Sequence, residues 1–200
     1  MKVKQTAEAI SGSARGALFA VGFGSLWLCT GLLVMHWLNI VSGAVVAIIL
    51  AMLTIPAFRL LRVMARAPKN GIHAEQEQQI KRTFGLVNTI QWVAIVVAVV
   101  LLGVFHLGKF IVPAITAIVG LHLFPLARLF RYSAHYVTGA LLILWSVGVV
   151  IMLHRRDIPS IGALGTGTIL LLSAAYTLAV ATRAAKYVLE SRAKVTSINR

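Results

Sequence analysis

The feature that most constrains this chain is where its charges are not. Six long apolar runs, at about residues 17–38, 40–61, 86–105, 110–130, 136–153 and 161–182, contain no Asp or Glu, and carry Arg only at the ends of the second and fourth. A helix needs roughly 20 mostly apolar residues to cross the hydrocarbon of a bilayer. Each run meets that length or nearly so, and the loops between them are short. With 59% hydrophobic residues, 12% charged residues and a mean hydropathy of +0.89, a soluble domain is a poor match. Open strands leave backbone groups unpaired in lipid, and the runs lack the alternation of a barrel. The sequence therefore predicts one all-α domain over residues 1–200: a six-transmembrane-helix bundle in a lipid bilayer. The one sizeable loop is at about residues 63–84.

The net charge of +14 would suggest nucleic acid in a soluble protein. Its distribution points elsewhere. If the N-terminus is cytoplasmic, sixteen of the nineteen Lys and Arg fall on the inner side, and Lys109, Arg155 and Arg156 are the three outside. Basic residues gather on the cytoplasmic side of membrane proteins, so both termini are expected there, with no nucleic-acid partner. The same residues would meet anionic lipid headgroups at the inner face. Lone Cys29 permits no intrachain disulfide. Lys2 and Lys4 resemble the start of a signal peptide, but the first run is full-length and ends in bulky Met35-His36-Trp37. That predicts an uncleaved first span.

Along the chain, residues 6–17 read as a short, weak surface helix, because two glycines lie within it. Residues 36–39 allow only a tight hairpin. Gly43, Ala47 and Ala51 in span two, and Ser173, Thr177 and Ala181 in span six, form small-residue stripes at four-residue spacing. Such stripes let helices, or a second copy of the chain, approach closely. In the inner loop, residues 68–71 read as a turn, and the polar stretch after it as a helical lead-in to span three, with Glu77 four residues before Lys81.

An internal match raises the expectation of three related hairpins. Pro56-x-x-Arg59-Leu60-x-Arg62 and Pro125-x-x-Arg128-Leu129-x-Arg131 agree at four fixed positions, each closing an even-numbered span, and Trp27, Trp92 and Trp145 recur in the odd ones. Parallel repeats are a known plan for membrane bundles. Proline and basic residues also end inner helix termini for generic reasons, so both explanations stand.

Span four holds the leading candidate for function. His122 lies about nine residues from its inner end, and Pro125 leaves the Leu121 carbonyl without its usual helix donor. An ionisable side chain at this depth is expected to face protein or water rather than lipid. Asn88 and Gln91 share a face of span three at comparable depth, with Trp92 beside them. His122, Asn88, Gln91, Trp92 and Arg128 are therefore the candidate ligand-binding group, opening inward past Arg128. The competing reading is polar glue between two helices. His36, His106 and His154 at the outer ends would make a metal site only if the hairpins packed as a ring.

No acid lies within a span, which argues against a carboxylate ion relay. Phosphate-loop, zinc-protease and Gly-x-Ser-x-Gly motifs are missing, so no catalytic residue, metal or cofactor is expected. Through Phe84-Gly-Leu-Val-Asn-Thr-Ile-Gln-Trp92 and Gly120-Leu-His-Leu-Phe-Pro-Leu-Ala-Arg-Leu-Phe130 the chain resembles a group of small, uncharacterised multi-span proteins of bacterial inner membranes. The resemblance covers spans three to five. It implies a bacterial inner membrane and no activity. The expectation is a non-enzymatic protein that binds or passes a small neutral or anionic solute near His122. The first alternative is a structural or partner-binding subunit assembling through the small-residue stripes, and the second a histidine-dependent enzyme or metal site.

Overall fold

The computed structural model describes residues 7–65, 74–130, 132–152 and 157–198, with side chains for 9–65, 78–130, 132–152 and 157–190. The turn at residues 68–71, Arg131 and His154 lie outside them, as do the side chains of Glu75 and Glu77. The described residues form six helices: α1 (Ala7–Val34), α2 (Ile40–Ala65), α3 (Ala74–Val104), α4 (Ile111–Phe130), α5 (Ala134–Met152) and α6 (Ile158–Ile198), with a 3-10 turn at Gly108–Phe110 before α4. Each is long and apolar enough to cross a membrane. The protein is a polytopic helical membrane protein.

The helices outrun the apolar stretches at several ends. Residues 6–17 are not a separate surface helix. From Ala7 they belong to α1, and Ile10 and Ala14 are buried with Leu60 and Met64 of α2 and Ala181 and Ala185 of α6. Tertiary packing overrides the weak local propensity of its glycines. Pro56 and Pro125 do not stop their helices either, since a spanning helix tolerates a proline whose freed backbone groups find partners nearby.

The turns at the ends of α1 and α3 are the same device. His36 and His106 adopt φ of 57° and 56°, the only non-glycine residues with positive φ among those described. In each case the next residue's N–H reaches back five positions, Trp37 to the Leu32 carbonyl at 2.8 Å and Leu107 to the Leu102 carbonyl at 2.7 Å. This is a Schellman ending with histidine where glycine usually sits. After the first of these turns, Asn39 and Ser42 cap α2 reciprocally, each side chain accepting the other's backbone N–H at 2.9 Å.

Helix α6 is the hub, touching α1, α2, α4 and α5. The most extensive interfaces, α1 with α6 and α4 with α5, run between the expected hairpins rather than within them. Lipid supplies little apolar drive for helix association, so close approach through small residues has to supply the packing. A Cβ placed on Gly167 would lie 2.6 Å from the Gly24 carbonyl oxygen across the α1–α6 contact. Gly120 and Gly139 meet across α4 and α5 in the same way, each Cβ falling 2.7–2.8 Å from the other's carbonyl. At Gly165 a Cβ would come 2.0 Å from the Trp145 indole, whose Nε1–H donates to the Gly162 carbonyl at 3.1 Å. Glycines at the start of α6 thus serve different neighbours: Gly165 takes α5 and Gly167 takes α1.

Polar side chains reinforce these seams. Thr116 and Thr166 join α4 to α6 at 2.8 Å, and Ser146 of α5 donates to the Pro113 carbonyl of α4 at 2.8 Å. Helices α2 and α3 sit at the periphery. In the most apolar stretch of α3 no residue is buried by the rest of the chain. That face suits acyl chains.

Candidate functional site

Successive residues of α4 address different neighbours. Gly120 meets α5, Leu126 and Ala127 are buried, and Leu121 is 60% exposed. His122 is half-buried and its ring hydrogen-bonds to the Val87 backbone of α3, while its Nδ1 is buried with no partner among the described residues. Asn88 follows Val87 directly, and Gln91 lies one turn further along the same α3 face. Both are half-buried, and neither amide is hydrogen-bonded to His122. The α3–α4 seam therefore carries three polar side chains with unused hydrogen-bonding capacity, rather than a closed network. Trp92, 49% exposed, turns off the seam to the outside of the bundle.

Below His122, toward the end of the bundle where α1 begins and α6 ends, a cleft of about 590 Å³ opens between α3, α4 and α5. It is lined by Thr83, Phe124, Pro125, Arg128, Leu129 and Tyr136. Phe124 and Tyr136 form its aromatic wall, edge to face with centroids 5.8 Å apart. Arg128 is exposed, and no ion pair engages it among the described residues. His122 does not line this cleft. It sits a turn and a half deeper, at 1.5 Å of rise per residue from Arg128.

The sequence reading missed what α5 contributes. His135 is close enough to His122 for the two to interact electrostatically, and Tyr132 packs edge-on against His135 at 5.0 Å. Tyr132 donates to the Thr177 hydroxyl at 3.1 Å, and Thr138 pairs with Ser173 at 2.7 Å. Burial pushes the Tyr132 phenol above its ordinary range, against a smaller opposing effect of the Thr177 hydrogen bond. One signal was available: the connection from Phe130 to Ala134 is so short that α5 must pair antiparallel with α4, bringing residues 135–136 beside 124.

The two small-residue stripes part company. On α6, Ser173 bonds to Thr138 of α5, Thr177 accepts from Tyr132 in the α4–α5 connection, and Ala181 is buried against α1 and α2. On α2, Ala47 and Ala51 are exposed, and nothing lies within 4 Å of a Cβ on Gly43. His36 and His106 are exposed at their turns. No group of three or more His, Cys, Asp or Glu comes together among the described residues. Asp157 and Glu190 are the only acids whose side chains are described, and neither is on α3, α4 or α5. No protein-family model, curated protein or solved structure matches the chain, so its chemistry has to be read from this geometry.

Proposed function

We propose that this is a non-enzymatic protein of a bacterial inner membrane, both termini cytoplasmic, that binds a small neutral or anionic solute where α3, α4 and α5 meet. The observation that carries the reading is the buried Nδ1 of His122, without a partner among the described residues, above a cleft bearing Arg128, which has no ion pair among them. A buried polar atom without a partner costs about 1–3 kcal/mol, and a solute that passes the cleft and enters the α3–α4 seam beside His122 would remove that cost. Asn88 and Gln91 add free amide donors and acceptors beside it. The lopsided basic charge supports the orientation, which puts the cleft on the cytoplasmic side.

Cysteine accessibility tests this. In a Cys29→Ser chain, His122→Cys is expected to react with a membrane-impermeant thiol reagent in inside-out vesicles and not in right-side-out ones. Absence of reaction from either side refutes the site. Gly43, Ala47 and Ala51 support a second reading, assembly with a partner helix, since that stripe is open on α2. It predicts that Ala47→Leu dissociates an oligomer seen by cross-linking in membranes.

A further inference from the structure

We propose that the cleft between α3, α4 and α5 is occupied by an anionic phospholipid, its phosphate on Arg128 and its acyl chain along Phe124, Pro125 and Leu129. This rests on the reading of the region as a binding site and names the occupant of its mouth. At about 590 Å³ the cleft falls among small-molecule sites, roughly 300–1,000 Å³. It holds a headgroup and the first part of a chain rather than a whole lipid.

The chemistry is divided by depth. Arg128 lies in the last turn of α4, at the end of the bundle where Arg15, Arg59, Arg62, Lys81, Arg82, Arg183 and Lys186 also gather. The only acid with a described side chain at that end is Glu190. A guanidinium offers a fork of donors that matches phosphate. Thr83 and Tyr136 bring hydroxyls to the same cleft, neither hydrogen-bonded to another described residue. Phe124, Pro125 and Leu129 are apolar.

An occupant must therefore carry negative charge at headgroup level and hydrocarbon beside it. Inorganic phosphate would leave the apolar wall unfilled. A zwitterionic lipid would place its ammonium group among arginines. Pro125 and Arg128 are exposed on the outside of the bundle, so a bilayer lipid reaches the cleft by lateral diffusion without leaving the membrane.

The test uses the full chain in vesicles of phosphatidylcholine mixed with either phosphatidylglycerol or phosphatidylethanolamine, and counts retained lipids by native mass spectrometry. Phosphatidylglycerol is expected to be retained in preference to the other two. Arg128→Gln should cut that preference about tenfold, the loss of one direct hydrogen bond to a charged group. Arg62→Gln, an exposed arginine of α2 at the same end, should leave it unchanged. Leu129→Trp, which fills the cleft without changing charge, should remove it. Equal retention of all lipids, or a preference indifferent to both cleft variants, overturns the proposal. So does displacement by octanoate or inorganic phosphate without any lipid preference, which assigns the cleft to a free anion. If His122→Cys is labelled but no lipid preference appears, this proposal alone falls; if neither result appears, both readings fall.

Discussion

Gly165→Ala is the sharpest perturbation of the packing. The new methyl carbon would lie 2.0 Å from Cε2 and 2.4 Å from Nε1 of Trp145. Carbon atoms settle at about 3.5–4.0 Å, so the indole must retreat by about 1.5 Å. That breaks the 3.1 Å bond from Nε1–H to the Gly162 carbonyl. Overpacking costs about 1–3 kcal/mol, and an interhelical hydrogen bond in a membrane about 0.6 kcal/mol, at most about 1.7. Replacing glycine inside a helix returns up to about 1 kcal/mol. The net loss is expected at about 1–3 kcal/mol. Unfolding by SDS titration in bicelles, followed by tryptophan fluorescence, measures it. With Trp145→Ala already in place the clash disappears, and Gly165→Ala should be neutral or stabilising. A double-mutant cycle should therefore return a coupling of about 2 kcal/mol or more. Equal losses in both backgrounds would refute the account of α6 as a set of glycine notches.

Three further outcomes follow from other seams. His36→Gly and His106→Gly should each raise stability by up to about 1 kcal/mol in the same unfolding assay, because glycine adopts positive φ without a Cβ clash. Thr116→Val and Thr166→Val should couple by about 0.6 kcal/mol in a double-mutant cycle, the usual size of such bonds in a bilayer. Tyr132 has its phenol pKa raised by burial, so its neutral form is the one the fold stabilises. That contribution is whole below the ordinary phenol range near 10.0 and is lost as pH rises through the higher folded value. Thermal unfolding in detergent should show the wild type weakening more steeply in alkali than Tyr132→Phe.

The candidate site was legible only in part. His122, Asn88, Gln91 and Arg128 announce themselves because polar groups in apolar runs are costly and therefore few. Their directions do not follow from that. Helical phase turns Trp92 outward and places the Val87 backbone, rather than an amide, against the imidazole. The cleft walls Phe124 and Tyr136 look like any other apolar-run aromatics until α4 and α5 pair. The stripes on α2 and α6 read alike in sequence, yet one is exposed and the other buried. A stripe reports that close approach is permitted, not that a neighbour is there. The histidines that suggested a metal ring include two, His36 and His106, that close helices.

By itself, the sequence determined six apolar helices and their alternation, since hydrocarbon thickness and backbone hydrogen bonding leave a chain of this pattern no other regular form. Only the tertiary structure decided that α6 is the hub, that α1 packs most extensively on α6 and α4 on α5 rather than on their hairpin partners, and that His122 sits above a separate cleft. The physical reason is that crossing the membrane is a one-dimensional requirement, met residue by residue. Choosing neighbours depends instead on which small residues face one another across helices far apart in the chain.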